Sequence, residues 1–217
     1  MPAWPILAGL SDEEERQLLA VARRRRFARG EVVFHRGDPA DTLHLVAAGS
    51  FAVRVITPLG ETATLRLVGP GECFGELALV RPEHARSATV QALEAGETRA
   101  LLRSDLDRLR RSTPGLETFL VDLLADRVAG LTERLVEALY TPAPKRVANA
   151  LRALAERYAG DDGDATVPLT QEDLAGLAGT SRLTVSRVLR DLRAQGLVEV
   201  RRGRIAVSPQ FLSGHRV

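Results

Sequence analysis

Between Phe27 and Leu102, apolar residues recur at about every second position in short β-branched runs: EVVFHRGDPAD, TLHLVAAGSFAVRVITPLGETATLRLVGPGE and SATVQALEAGETRALL. Successive side chains on a strand point to opposite faces, so only extended chain gathers this pattern on one side. Gly30, Gly37, Gly49, Gly60, Gly69, Gly71 and Gly96 cut the runs at turn positions, and Pro58-Leu59-Gly60 reads as a hairpin tip. Many short antiparallel strands must bury one face and hide their edges, which a jelly-roll-like closure achieves. Ahead of them, Ser11 with Glu14 three residues on forms a capping box and predicts a short amphipathic helix.

The period changes after residue 102. SDLDRLRRS reads as a short helix, and Pro114 sits at the first turn of a longer one running to about Tyr140. Val121, Leu124, Val128, Leu131, Leu135 and Ala138 recur at alternating spacings of three and four, the a/d seam of a coiled coil. Two partners fit this seam, the twin helix of a second copy or the core of the helix's own domain, and the motifs on either side of it favour the twin. Proline cannot continue a helical hydrogen-bond ladder, so Pro142 and Pro144 end the helix and make Thr141 to Pro144 a hinge. KRVANALRALAERYAG then reads as an amphipathic helix and GDDGDATVP as a polar loop, opening a second compact domain.

With 217 residues, 45% hydrophobic and 27% charged, the chain has material for two globular domains and contains no run of 18 apolar residues. A non-membrane protein is expected. MPAWPILAGLSDEEER lacks the basic-then-apolar order of a secretory signal, so the expected location is the cytoplasm. Cys73 is the only cysteine, which excludes an internal disulfide and an iron–sulfur cluster held by one chain. No metal spacing links His35, His44, His84 and His215, and no P-loop, G-x-S-x-G or HExxH occurs, so neither a metal site nor an enzyme is expected. Charge divides at the TPAP segment: residues 141–217 hold 12 Lys+Arg against 8 Asp+Glu, a balance of +4, whereas residues 1–140 hold 18 against 20, or −2. The basic excess is almost wholly arginine, whose planar fork suits phosphates and guanine edges.

LTQEDLAGLAGTSRLTVSRVLRDLRAQGLVEVRRGRIAVS carries the richest chemistry. Thr170 caps a helix with Asp173 in support, Gly179 makes a turn, and Thr180 or Ser181 caps a second helix. In that helix Val185, Val188, Leu189 and Leu192 share an inner face, leaving Arg182, Leu183, Ser186, Arg187, Arg190 and Arg193 outside. After Gly196 the chain alternates as a hairpin turning at Arg202-Gly203. This is a winged helix-turn-helix pattern, and the major groove admits such a second helix. A protein-interaction module is the other reading, but base-contacting residue types gathered on one exposed face point to duplex DNA.

GPGECFGELALVRPEHARSATVQAL is the second informative motif. Gly75 and Glu76 share a tight turn, and Arg86 and Ser87 come about ten residues on, so one loop can present amides, a carboxylate, a guanidinium and a hydroxyl. That set fits a cyclic phosphate and its ribose, while a Glu76–Arg86 pair that only braces the turn is the alternative. FGELAL…RSATV resembles the phosphate-binding cassette of cyclic-nucleotide-binding domains, and with TSRLTVSRVLRDL nearly the whole chain resembles the CRP/FNR family of bacterial regulators.

The resemblance implies an α+β protein with an N-terminal antiparallel, jelly-roll-like β-roll sensor over residues 1–112. A dimerisation helix over 113–140 and a winged helix-turn-helix DNA-binding domain over 141–217 complete it. It implies that Gly75, Glu76, Leu77, Arg86 and Ser87 contact the sugar-phosphate of a cyclic nucleotide such as cAMP, with Arg127 beside Glu76. The cAMP-responsive members hold the adenine amine with two adjacent hydroxyl residues, for which this chain has Leu131 and Thr132, so the preferred base stays open. At the base-reading positions stand Arg182, Leu183 and Arg187. Leucine replaces a glutamate of the catabolite activators and allows only apolar contact, for instance with a thymine methyl, so the operator should differ there. Thr170, Ser181, Thr184 and Arg201 match phosphate-contacting positions.

An oxygen-sensing branch of the family needs an N-terminal cysteine cluster and is excluded. A haem-sensing branch would need a histidine ligand, for which His84 is the one candidate, and a lone loop histidine is ordinarily a surface residue. The chain is accordingly expected to be a homodimeric regulator of a two-fold symmetric duplex site, needing no cofactor, with a cyclic nucleotide as effector. Activation through RNA polymerase is expected, with Gly160 to Thr166 as a contact loop. A ligand-independent member controlled by its abundance, and a nucleotide-binding adaptor without DNA binding, are the competing readings.

Overall fold

A computed structural model describes residues 4–57, 60, 62–77, 85–111, 113–160 and 163–213. Pro58 and Leu59 of the expected hairpin tip, His84, and two residues of the Gly160–Thr166 loop lie outside these. The chain forms two compact units, 1–55 with 66–132 and 56–65 with 133–217. Among the described residues no helix is long and apolar enough to cross a membrane.

The first unit is the β-roll that the alternation predicts. The roll's strands are β1 (Arg23–Phe27), β2 (Val32–Phe34), β3 (Thr42–Ala48), β4 (Phe51–Ile56), β5 (Thr62–Val68), β6 (Cys73–Phe74), β7 (Thr89–Ala92) and β8 (Gly96–Leu102), of which the end of β4 and the start of β5, within residues 56–65, group with the second unit. They build two four-stranded sheets, ordered β1-β8-β3-β6 and β2-β7-β4-β5. Strand β3 shows why the alternation works. Leu43 and Leu45 enter a core shared with Leu18, Phe119 and Leu123, whereas Val46 on the opposite face joins Phe27, Phe51 and Phe74 inside the roll. Before the strands, α1 (Asp12–Val21) opens on the Ser11–Glu14 capping box. Glu14 also accepts the Gly115 N–H at 2.9 Å, so one carboxylate serves the starts of two helices.

A short helix α2 (Arg103–Leu109) leads to the long helix α3 (Gly115–Tyr140). The helix has two apolar stripes. Leu116, Phe119, Leu120 and Leu123 are buried against the unit's own core. The seam is a different stripe: Val121, Val128, Leu131 and Leu135 stand 55 to 64% exposed. The own-core partner considered for the seam is therefore not the one it has.

The second unit holds α4 (Ala143–Tyr158), α5 (Gln171–Leu177), α6 (Arg182–Ala194) and α7 (Pro209–Ser213) around a three-stranded sheet ordered β10-β11-β9. Its strands are β9 (Ala165–Val167), β10 (Val198–Arg201) and β11 (Arg204–Val207), and the β10–β11 hairpin pairs Arg201 with Arg204 around Arg202-Gly203. The break between α3 and α4 is only Thr141 and Pro142, because Pro144 lies in the first turn of α4, where the N–H it lacks has no intrahelical partner.

Candidate nucleotide cassette and DNA-reading helix

Gly75 is where the cassette closes. Its φ is +85°, and a Cβ there would fall 2.7 Å from the Thr42 carbonyl oxygen and 2.8 Å from Arg86 Nη1. Only glycine brings this turn against the guanidinium. Arg86 is 5% exposed and lies over the Phe34 ring, 4.0 Å from its centroid. Nη1 donates to the Thr42 carbonyl at 2.8 Å and Nη2 to the Thr42 hydroxyl at 2.5 Å. Among the described residues its buried Nε has no hydrogen-bond partner. Among the described residues the ion pair it makes is with Asp41, at 3.6 Å, whose carboxylate side chain is 69% exposed. Burial lowers the Arg86 pKa, opposed by Asp41, Asp38 and Glu76. A buried cation with one idle donor and a largely solvated counter-ion is a group in want of an anion.

Glu76 accepts from Arg127 Nε of α3 at 3.0 Å, both side chains being mostly buried. The carboxylate thus braces the long helix, and a Glu76–Arg86 brace is not what the turn contains. Leu77 and Ser87 are exposed beside these groups. Thr132 is not gathered with them by any bond: its hydroxyl donates to the Val128 carbonyl of its own helix at 2.9 Å.

Sequence reasoning missed Thr42, Phe34 and Asp41 as the surroundings of Arg86, since they lie 44 or more residues upstream. It also missed His44, which stacks on Phe74 with centroids 4.9 Å apart and bonds Thr98 Oγ1 at 3.0 Å. Burial first, then the charges of Arg86 and Arg25, push its pKa down to about 3, so it is a neutral ring inside the roll. Its place on the inward-facing side of β3 was the available signal. Burial drives the pKa of Cys73 upward, leaving a protonated, unreactive thiol.

In the second unit, Thr170 and Asp173 cap α5 reciprocally, and Ser181 caps α6 by accepting the Thr184 N–H at 3.3 Å. Val185 and Leu189 are buried, while Arg182, Leu183, Ser186, Arg187, Arg190 and Arg193 are exposed, as the 3.6-residue period predicts. Leu183 is 61% exposed among arginines. In the wing, Arg201 closes its fork on Glu199 at 3.0 and 2.8 Å, leaving Arg202 and Arg204 as the exposed cations at the tip.

Residues 24–113 match the cyclic nucleotide-binding domain, and residues 145–209 match the Crp-like helix-turn-helix domain. The cyclic AMP receptor protein of Thermus thermophilus is 38% identical over 210 residues, covering 95% of this chain and 94% of that relative. The chain belongs to the CRP/FNR family. As a CRP/FNR regulator it is a DNA-binding transcription factor in which a cyclic-nucleotide-binding domain precedes a helix-turn-helix. The CRP-like cAMP-activated global transcriptional regulator of Mycobacterium tuberculosis is 33% identical over 188 residues, or 84% of this chain and 82% of that one. Among solved structures, the Thermus thermophilus catabolite activator protein aligns with a TM-score of 0.57 at 36% identity, over 96% of this chain and 98% of that one. Along this chain the long helix α3 lies between the two matched domains.

Proposed function

We propose that this regulator is gated by a cyclic nucleotide, with cAMP the first candidate, bound by the cassette of its β-roll. The observation that carries the reading is Arg86: a buried guanidinium whose Nε has no partner among the described residues and whose counter-ion is mostly in water. A cyclic phosphate supplies the missing negative charge, and charge-assisted bonds of this kind are the strong ones. Gly75 and Leu77 offer backbone amides, Ser87 a hydroxyl, and Glu76 an acceptor for the ribose 2′-hydroxyl. Because Glu76 is tied to Arg127, occupation of the cassette is felt directly by α3.

Residues 1–112 act as sensor, 113–140 as the helix joining two copies, and 141–217 as reader. In the cytoplasm, two readers on one dimer would meet a two-fold symmetric duplex in major grooves about 34 Å apart. Arg182, Leu183 and Arg187 face base edges there, Thr170, Ser181, Thr184 and Arg201 the phosphates, and the regulator activates by contacting RNA polymerase. The ligand-independent reading draws on one observation, that the Thr132 hydroxyl is spent on Val128.

Calorimetric titration with cAMP and then cGMP, on the wild type and on Arg86→Leu, tests the proposal. Saturable heat with one nucleotide, weakened at least tenfold by Arg86→Leu, is the expected result. No heat with either, in protein that binds duplex DNA, selects the ligand-independent reading.

A further inference from the structure

Asp173 is the one fully buried carboxylate among the described residues, 5% exposed. Its two oxygens have different employers. Oδ2 accepts the Thr170 N–H at 3.1 Å and the Thr170 hydroxyl at 2.7 Å, completing the cap of α5. Oδ1 accepts the hydroxyl of Thr64, at 2.8 Å, from a residue 109 positions earlier on β5. Thr64 is 1% exposed.

A second, independent feature lies one turn along α5. A Cβ on Gly176 would fall 2.4 Å from the Thr64 nitrogen and 2.9 Å from its oxygen, so β5 and α5 touch backbone to backbone. Glycine inside a helix is unfavourable, and this approach explains its presence. Next on β5, the Leu65 carbonyl accepts from Arg134 Nη1 of α3 at 2.9 Å. Two consecutive residues of β5 are therefore tied, Leu65 to the long helix and Thr64 to α5, the first helix of the helix-turn-helix, all within the second unit.

We infer that Thr64 is a positioning residue for DNA binding: through Asp173 it fixes the cap and the seat of α5, against which the reading helix α6 is built. A buried carboxylate must have its acceptor capacity filled. Without the Thr64 donor, Oδ1 loses a short hydrogen bond where water does not replace it, and the carboxylate turns toward other donors within reach, drawing Oδ2 away from Thr170. The inference rests on the DNA contacts proposed for α6.

The test uses the full-length protein and a duplex selected by the wild type from a random pool, with affinity measured against salt concentration, with and without cAMP. Thr64→Val keeps the shape and removes the donor, Thr64→Ser restores it, and Gly176→Ala blocks the approach from the other side. The expected result for Thr64→Val is a roughly tenfold loss of affinity for the selected duplex at an unchanged salt slope, because no cation is removed, with a much smaller loss on a duplex of scrambled sequence. Thr64→Ser recovers both, and Gly176→Ala reproduces the loss. If Thr64→Val does not fold, Gly176→Ala against wild type decides by the same two readouts. Unchanged or tighter binding overturns the inference, and so does an equal loss on the selected and the scrambled duplex, which marks stability alone. A wild type that ignores duplex DNA overturns the DNA reading itself and this inference with it.

Discussion

His44 occupies a place that its residue type does not advertise. Depressed to about 3 in the fold against 6.5 in an unfolded chain, it makes stability depend on pH with a definite sign. Between those values the unfolded chain binds a proton that the folded protein refuses, so stability is complete above pH 6.5 and declines as pH falls toward 3. The loss totals on the order of 5 kcal/mol. Urea unfolding across this range should show the decline in the wild type and a flatter profile in His44→Asn. Arg86 and Glu76 were legible because they lie in one contiguous motif. Arg127, 51 residues from Glu76, was placed beside it by the family resemblance, whereas Thr42 lies 44 residues from Arg86 and His44 sits inside an ordinary strand pattern, so folding alone reveals what those two touch.

At the scale of elements, Arg146 in the first turn of α4 joins three helices. Its guanidinium donates to the carbonyls of Ala138 and Thr141 at the end of α3, and to those of Ala178 and Gly179 just past α5. Helix C-termini leave carbonyls without intrahelical donors, and a cation there also meets the negative end of the helix dipole. Arg146→Met should destabilise the second unit by about 2–4 kcal/mol, judged from several charged hydrogen bonds lost where the carbonyls are partly buried. Chemical unfolding monitored by far-UV dichroism measures it, with binding to duplex DNA lost in step. Elements were readable wherever a local signal marks their ends. Ser11 with Glu14, Thr170 with Asp173, and Gly179 each act within a few residues of chain. The hinge was read too long, because Pro144 is tolerated inside the first turn of α4. The strap from Thr64 to Asp173 has no local signal at all, being one hydrogen bond across 109 positions.

For the whole molecule, the long helix raises the question its own unit leaves open. Leu116, Phe119, Leu120 and Leu123 consume one stripe on the core, yet Val121, Val128, Leu131, Leu135, Leu139 and Tyr140 stay exposed along the rest. A stripe of this length in water is costly at about 25 cal/mol per Å² of apolar surface, and a/d spacing is what a second identical helix covers best. A twin would bring a second reader and a second cassette, and dimerisation would then govern DNA binding as well as mass. Leu131→Glu with Leu135→Glu places like charges against each other across a dry seam. Sedimentation should report twice 23.5 kDa for the wild type and 23.5 kDa for the double variant at micromolar concentration. Affinity for a two-fold symmetric duplex should fall far more than affinity for a single half-site, because one reader loses its tethered partner and keeps its own contacts. A double variant that stays at twice the monomer mass assigns the seam another role and places the dimer contact elsewhere on the chain.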